Sequence, residues 1–237
     1  AEPIDKIFVT KKNLGSIYCF GFSYGRFSPS PIKIITEIDL NCIYIFPSFQ
    51  YIFIGFPKNI NIHHFSSITD KKIEINVQCE TIKSFKKSFL FAMNKSFITK
   101  INANNIYKSK AFPIKIIDTC QFDILECNEI MIIGNYLCKG QVGIFNIRIN
   151  EETFLKEQKV VYIDNFSLLS LNFVSNKYFI VLSANQSYSK LLLINLDDSK
   201  IERNCAAYIN NIKFIRLFTQ SKLIIANYKD YGLTLIQ

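Results

Sequence analysis

Short apolar runs recur along the chain, each closed by a small residue and a polar turn, and each followed by a second apolar stretch. Lys6-Ile7-Phe8-Val9-Thr10 leads to Ser16-Ile17-Tyr18-Cys19-Phe20. Tyr51-Ile52-Phe53-Ile54-Gly55 leads to Asn59-Ile60-Asn61-Ile62, and Ser88-Phe89-Leu90-Phe91-Ala92 to Phe97-Ile98-Thr99-Lys100-Ile101. The same unit returns at Ile130–Gly134, Tyr178–Ser183 and Lys222–Ala226. The β-branched and aromatic content, the period of two and the close spacing of Asn, Lys, Ser, Asp and Gly turns predict strands almost throughout. One short helical piece is expected around Glu151–Lys156.

The small residues at 10, 55, 92, 134, 183 and 226 lie 45, 37, 42, 49 and 43 residues apart. A period of about 40–50 residues is the length of a propeller blade. Strands covered on both faces by neighbouring blades read as unbroken apolar runs. A small residue ends the strand where the backbone turns close to its neighbour. One blade cannot bury its own faces, so the units must stack. The fold expected is all-β, a β-propeller of four-stranded WD40-like blades; a β-sandwich with coincidental spacing is the alternative. We read one domain over 1–237, with a partial blade over 1–30 and blades over 31–68, 71–105, 112–149, 158–197 and 203–237. That is about five and a half blades, so a missing blade or a longer parent chain is expected.

Composition fits a packed core, with 49% hydrophobic and 20% charged residues, 22 Phe, 12 Tyr and no Trp. The net charge of +9 ordinarily points to an acidic partner. Here the joint richness in Ile, Asn, Lys, Phe and Tyr is what AT-biased coding produces. Arginine, the usual tool for bidentate phosphate and base contacts, occurs only as Arg26, Arg148, Arg203 and Arg216. The basic pairs Lys11-Lys12, Lys71-Lys72 and Lys86-Lys87 fall in expected turns and read first as solvated charge. Seven scattered cysteines without a C-x-x-C fit a reducing compartment better than a disulfide framework. No apolar segment follows Ala1-Glu2-Pro3, so no signal peptide is expected. The longest apolar runs fall far short of the ~18 residues that span a bilayer. The sequons at Asn94, Asn165 and Asn185 read as chance matches in an Asn-rich chain.

Catalytic patterns do not stand out. The two histidines, His63 and His64, are adjacent on an expected strand and so point to opposite faces. A nucleophile–His arrangement would need one of them, and nothing flanking supports it. Gly140-Gln141-Val142-Gly143 lies between strands rather than before a helix, so it is not a phosphate loop. Asp197-Asp198 reads as a turn, and zinc spacing is absent among the cysteines. No enzyme activity, metal or cofactor is expected.

From Cys127 onward the order of features is more specific. Ile130-Met131-Ile132-Ile133-Gly134-Asn135, a short insert, then Lys139-Gly140-Gln141-Val142-Gly143-Ile144-Phe145-Asn146-Ile147 resembles the third propeller of the large subunit of the cleavage and polyadenylation specificity factor. That family also holds the large subunit of the damaged-DNA-binding complex and the propeller subunit of splicing factor 3b. Lys156–Lys159, Ser167–Leu171 and Asn176–Val181 look like the next blade, and Tyr208–Ile212 with Leu223–Gln237 like the one after. Ile32–Ile35 and Cys42–Pro47 are compatible, so the likeness spans roughly residues 30–237. The chain departs from the pattern at Asn227, where the family often has an acidic residue, and it carries neither the two other propellers nor the helical region.

The resemblance implies a nuclear, non-catalytic scaffold in pre-mRNA 3′-end cleavage and polyadenylation. A splicing or DNA-damage and ubiquitin-ligase adaptor is the alternative within the family; a lactonase- or dehydrogenase-like propeller is the alternative outside it. The implied partners are other subunits of a multi-protein complex, with RNA or DNA reached indirectly and no membrane. Loop aromatics are the candidate partner anchors: Phe46, Phe49, Phe56, Phe65, Tyr136 and Tyr188. Lys11, Lys12, Lys86 and Lys87 are the candidate nucleic-acid contacts.

Overall fold

The computed structural model describes the chain outside residues 1–4, 12–15, 24–25, 28–31, 37–41, 47–50, 65–71, 87, 150, 164–166, 185–188, 206–211, 219–222, 229–231 and 237. It describes side-chain burial from residue 51 to residue 204, apart from 64–72, 87, 106, 150, 164–166 and 185–188. Among the described residues there are strands and turns and no helix, and so no helix long and apolar enough to cross a membrane.

The strands form successive antiparallel sheets, each made from consecutive segments. The first holds Asp5–Lys11 (β1), Ser16–Ser23 (β2), Arg26–Phe27 (β3) and Ile32–Thr36 (β4). The second holds Cys42–Phe46 (β5), Tyr51–Gly55 (β6), Ile60–His64 (β7) and Lys72–Ile75 (β8). The third holds Thr81–Phe85 (β9), Phe89–Met93 (β10), Phe97–Asn102 (β11) and Asn105–Pro113 (β12). The fourth holds Ile116–Leu125 (β13), Ile130–Tyr136 (β14), Gln141–Ile147 (β15) and Leu155–Tyr162 (β16). The fifth holds Ser167–Phe173 (β17), Tyr178–Ala184 (β18), Ser189–Asn195 (β19) and Ile201–Cys205 (β20). The sixth holds Ile212–Phe218 (β21), Leu223–Tyr228 (β22) and Gly232–Ile236 (β23).

The first strands of successive sheets lie side by side, β5 against β9, β9 against β13, β13 against β17 and β17 against β21. The apolar cores accordingly sit between sheets. Phe53, Ile62, Val77, Ile82 and Leu90 fill the space between the second and third. Phe91, Met93, Phe122, Met131 and Phe154 fill the next, and Ile132, Val142, Leu171, Phe179 and Val181 the one after. The second strands whose side chains are described are therefore buried on both faces: Ile52–Gly55 of β6, Leu90–Met93 of β10, Met131–Asn135 of β14 and Phe179–Ser183 of β18. This is why those segments read as unbroken apolar runs. The small residue at 134 also has its reason. A Cβ on Gly134 would stand 3.0 Å from Leu168 Cδ1 of the neighbouring sheet.

Two details differ from the sequence reading. Ile32–Thr36 pairs with β2, Ser16 opposite Thr36 and Cys19 opposite Ile32, so the first sheet runs to residue 36 and the second begins with β5. An extended segment carries no mark of which neighbour it pairs with, and β2, paired with β3 only at Phe22 and Ser23, leaves Ser16–Cys19 for β4. The expected helix around 151–156 is instead a bend over Glu151–Thr153 followed by β16. Burying Phe154 and Leu155 in the inter-sheet core overrides the weak local preference of two glutamates. At the β10–β11 turn Asn94 Oδ1 accepts the N–H groups of Ser96 and Phe97.

Candidate partner-binding cleft

The third and fourth sheets meet along an aromatic seam. Phe154, fully buried before β16, stacks on Phe91 of β10 with centroids 5.4 Å apart and meets Phe112 of β12 edge-on at 4.1 Å. Past this seam the sheets diverge and leave a cavity of about 600 Å³. Ile98, Phe112 and Ile114 wall it on one side, Phe145 and Leu155 on the other, with Lys115 and Glu157 supplying charge. It opens to solvent at Leu137, which is 47% exposed. An apolar cavity of this size with a few polar groups is the usual form of a recognition site.

Tyr136 ends β14 inside this cavity. Its ring packs edge-on against Phe145 at 5.1 Å, and its hydroxyl donates to Glu157 Oε2 at 2.8 Å. Burial, then the hydrogen bond to Glu157 and that residue's charge, push the phenol up to about 12, so it remains a neutral donor at physiological pH. The turn that follows is built from left-handed residues: Asn135 (φ 53°), Leu137 (φ 61°) and Gly140 (φ 77°). Asn135, fully buried, bridges the turn by accepting the Gly140 N–H and donating to the Thr119 carbonyl. A leucine in the left-handed region costs roughly 1–2 kcal/mol. It is held there by its N–H donating to the Lys115 carbonyl at 3.0 Å, which keeps an apolar side chain at the cavity mouth.

Of the expected anchors whose side chains are described, Tyr136 lines this cavity and Phe56 does not. Phe56 is only 7% exposed: the β6–β7 turn closes through its N–H to the Asn59 carbonyl, and its ring turns inward, so it is core and not an anchor. Phe46 ends β5, and Lys11 ends β1 opposite Ser16; their side chains lie outside the described residues, as do Phe49, Phe65, Tyr188, Lys12 and Lys87 altogether. Lys86 does occupy a turn, with φ 48°, but its ammonium pairs with the Glu129 carboxylate of the fourth sheet and sits 5.3 Å over the Phe85 ring. It is a tie between sheets. His63 is buried on β7 opposite Ile52. Among the described residues no cluster of three or more metal-ligating side chains forms.

The sequence reading missed a second group beside the cavity. Lys100 on β11 faces Lys110 on β12 directly, and Lys108 lies two residues along. The signal was present as Lys-x-Lys on one strand of a hairpin and Lys on the other. Only the hairpin register, with its shift at Ile101/Asn102, puts Lys100 opposite Lys110.

No family profile and no curated protein sequence matches the chain. Solved structures do. Kluyveromyces lactis Hsv2 superimposes with a TM-score of 0.68 at 10% identity, over 99% of this chain and 75% of that one. A second K. lactis Hsv2 structure, with its loop 6CD complete, gives 0.69 at 12% identity over 98% and 69%. Hsv2 of Kluyveromyces marxianus gives 0.65 at 11% over 94% and 70%. These neighbours are β-propellers, and likeness at such identity is likeness of fold. The chain is a β-propeller.

Proposed function

We propose that this protein is a non-catalytic propeller scaffold of WD40-like blades that binds other subunits of a nuclear RNA-processing complex, and that the complex acts in mRNA 3′-end cleavage and polyadenylation. The observation that carries the scaffold reading is the cavity between the third and fourth sheets, with Tyr136 and the strained, exposed Leu137 at its mouth. An extended segment or helix of a partner buries an apolar anchor there. The pathway rests on the order of features from Cys127 to Gln237 that resembles the polyadenylation-factor propeller. In this reading the protein positions RNA-reading and nuclease subunits and cuts nothing itself.

Purification of the native complex, with identification of co-purifying proteins by mass spectrometry, tests both parts. Polyadenylation subunits are expected. Splicing or ubiquitin-ligase subunits would move the scaffold to another pathway, and recovery of the chain alone would overturn the scaffold reading.

A further inference from the structure

The three lysines missed by the sequence reading line a pocket of about 450 Å³ between the third sheet and the β15–β16 connection, together with Phe89, Asn102, Ser109 and Ile149. Lys100 Nζ donates to the Ile149 carbonyl at 2.6 Å and sits 4.9 Å over the Phe89 ring. Lys110 Nζ donates to the Glu152 carbonyl at 3.1 Å and sits 5.0 Å over the Phe112 ring. Among the described residues, none of the three forms an ion pair with a carboxylate. Of the nearby acids, Glu151 is taken by Arg148, and Glu152 offers Lys110 its backbone oxygen. Like charges directly opposite on paired strands destabilise a sheet, and Lys100 and Lys110 are so placed. Burial holds the Lys100 ammonium below its ordinary pKa, and Lys110 adds to the effect. Each ammonium carries three N–H donors, and the carbonyls use one on Lys100 and one on Lys110. Among the described residues the pocket thus gathers positive charge and free donors, and no carboxylate lines it.

We propose that this pocket receives the phosphate of a phosphorylated peptide segment whose apolar anchor enters the neighbouring cavity. The inference rests on the scaffold reading and names the partner chemistry of the same cleft. Charge complementarity selects the anion. The peptide is selected by continuity: Lys108 and Lys110 of the pocket and Phe112 and Ile114 of the cavity follow one another along one stretch of chain. At about 3.3 Å per residue, an extended ligand beside β12 spans the gap with an anchor two to four residues from its phosphoresidue.

The test is fluorescence anisotropy on the full chain with labelled degenerate peptide libraries. In them phosphoserine is fixed at the centre and leucine three residues to either side. We expect the phosphoserine libraries to bind at least tenfold more tightly than the serine ones. The double variant Lys108→Gln/Lys110→Gln should abolish that preference while keeping the dependence on leucine. Lys58→Gln, which removes one exposed charge in the β6–β7 turn of the second sheet, should change nothing. Equal binding of serine and phosphoserine libraries, or a full phosphate preference in the double variant, would overturn the proposal. So would glutamate libraries binding as tightly as phosphoserine ones, or an oligouridylate ten-mer displacing the peptide at lower concentration. Repeating the native-complex purification with the double variant separates the two readings. Partners that the double variant retains as fully as the wild type sink this inference alone, whereas a wild-type chain without partners sinks the scaffold.

Discussion

Single side chains tie the sheets to one another. Asp123 on β13 pairs through Oδ1 with Lys83 of β9 at 3.2 Å, and its Oδ2 accepts the Phe173 N–H of β17 at 2.8 Å. One carboxylate thus joins three sheets. Asp123→Ala leaves a part-buried N–H and a lysine without their partner, and we expect a loss of about 1–3 kcal/mol in urea unfolding. Tyr136 supplies a pH test. Its folded pKa of about 12 lies above the ordinary value of 10, so folding favours the protonated phenol. That contribution is fully present below pH 10 and is lost as pH rises toward 12. Wild-type stability minus that of Tyr136→Phe should therefore fall across this window in chemical denaturation, and a flat difference would contradict the raised phenol pKa that burial and Glu157 impose. Tyr136 was legible from sequence as an aromatic next to a turn. Asp123 was not, because nothing local distinguishes a carboxylate that reaches two neighbouring sheets from one facing water.

At the scale of strands and turns, close approach decides which residues fit. Gly143 on β15 lies beneath two rings: a Cβ there would stand 2.5 Å from Phe145 Cε2 and 2.9 Å from Tyr136 Cδ1. Gly143→Ala must displace one of them. We expect about 1–3 kcal/mol of destabilisation, with the Tyr136–Phe145 packing lost as read by near-ultraviolet circular dichroism. Phe154 shows the opposite case, a ring that holds two sheets together. Phe154→Ala removes the stack on Phe91 and the edge contact with Phe112, and a cost of about 3–5 kcal/mol is expected. The doubly buried strands β6, β10, β14 and β18 were readable in advance, because burial on both faces leaves an unbroken apolar run. The bend at Glu151–Thr153 was not, because the burial of Phe154 that produces it depends on a sheet formed from residues 81–113.

Across the whole molecule, cores between sheets make the protein a chain of neighbour interactions. Phe53 lies in the core between the second and third sheets and Phe179 in that between the fourth and fifth. Their leucine variants should add to within about 0.5 kcal/mol, whereas Phe91 and Phe154, stacked in one core, should couple measurably in a double-mutant cycle. Legible in the residues alone were the unit and its repetition: the period near 40–50 residues, the second strand sealed on both faces, and the small residue that closes it. Each of these follows from local spacing and from the need to hide apolar surface. The tertiary structure alone decided partnership. It gave Ile32–Thr36 to the first sheet, turned Phe56 inward, bound Lys86 to Glu129 and set Lys100 against Lys110 beside an open cavity. Alternation along a strand says which residues share a face; what that face meets is set by register and by the neighbouring sheet, which are contributed by residues far away in the chain.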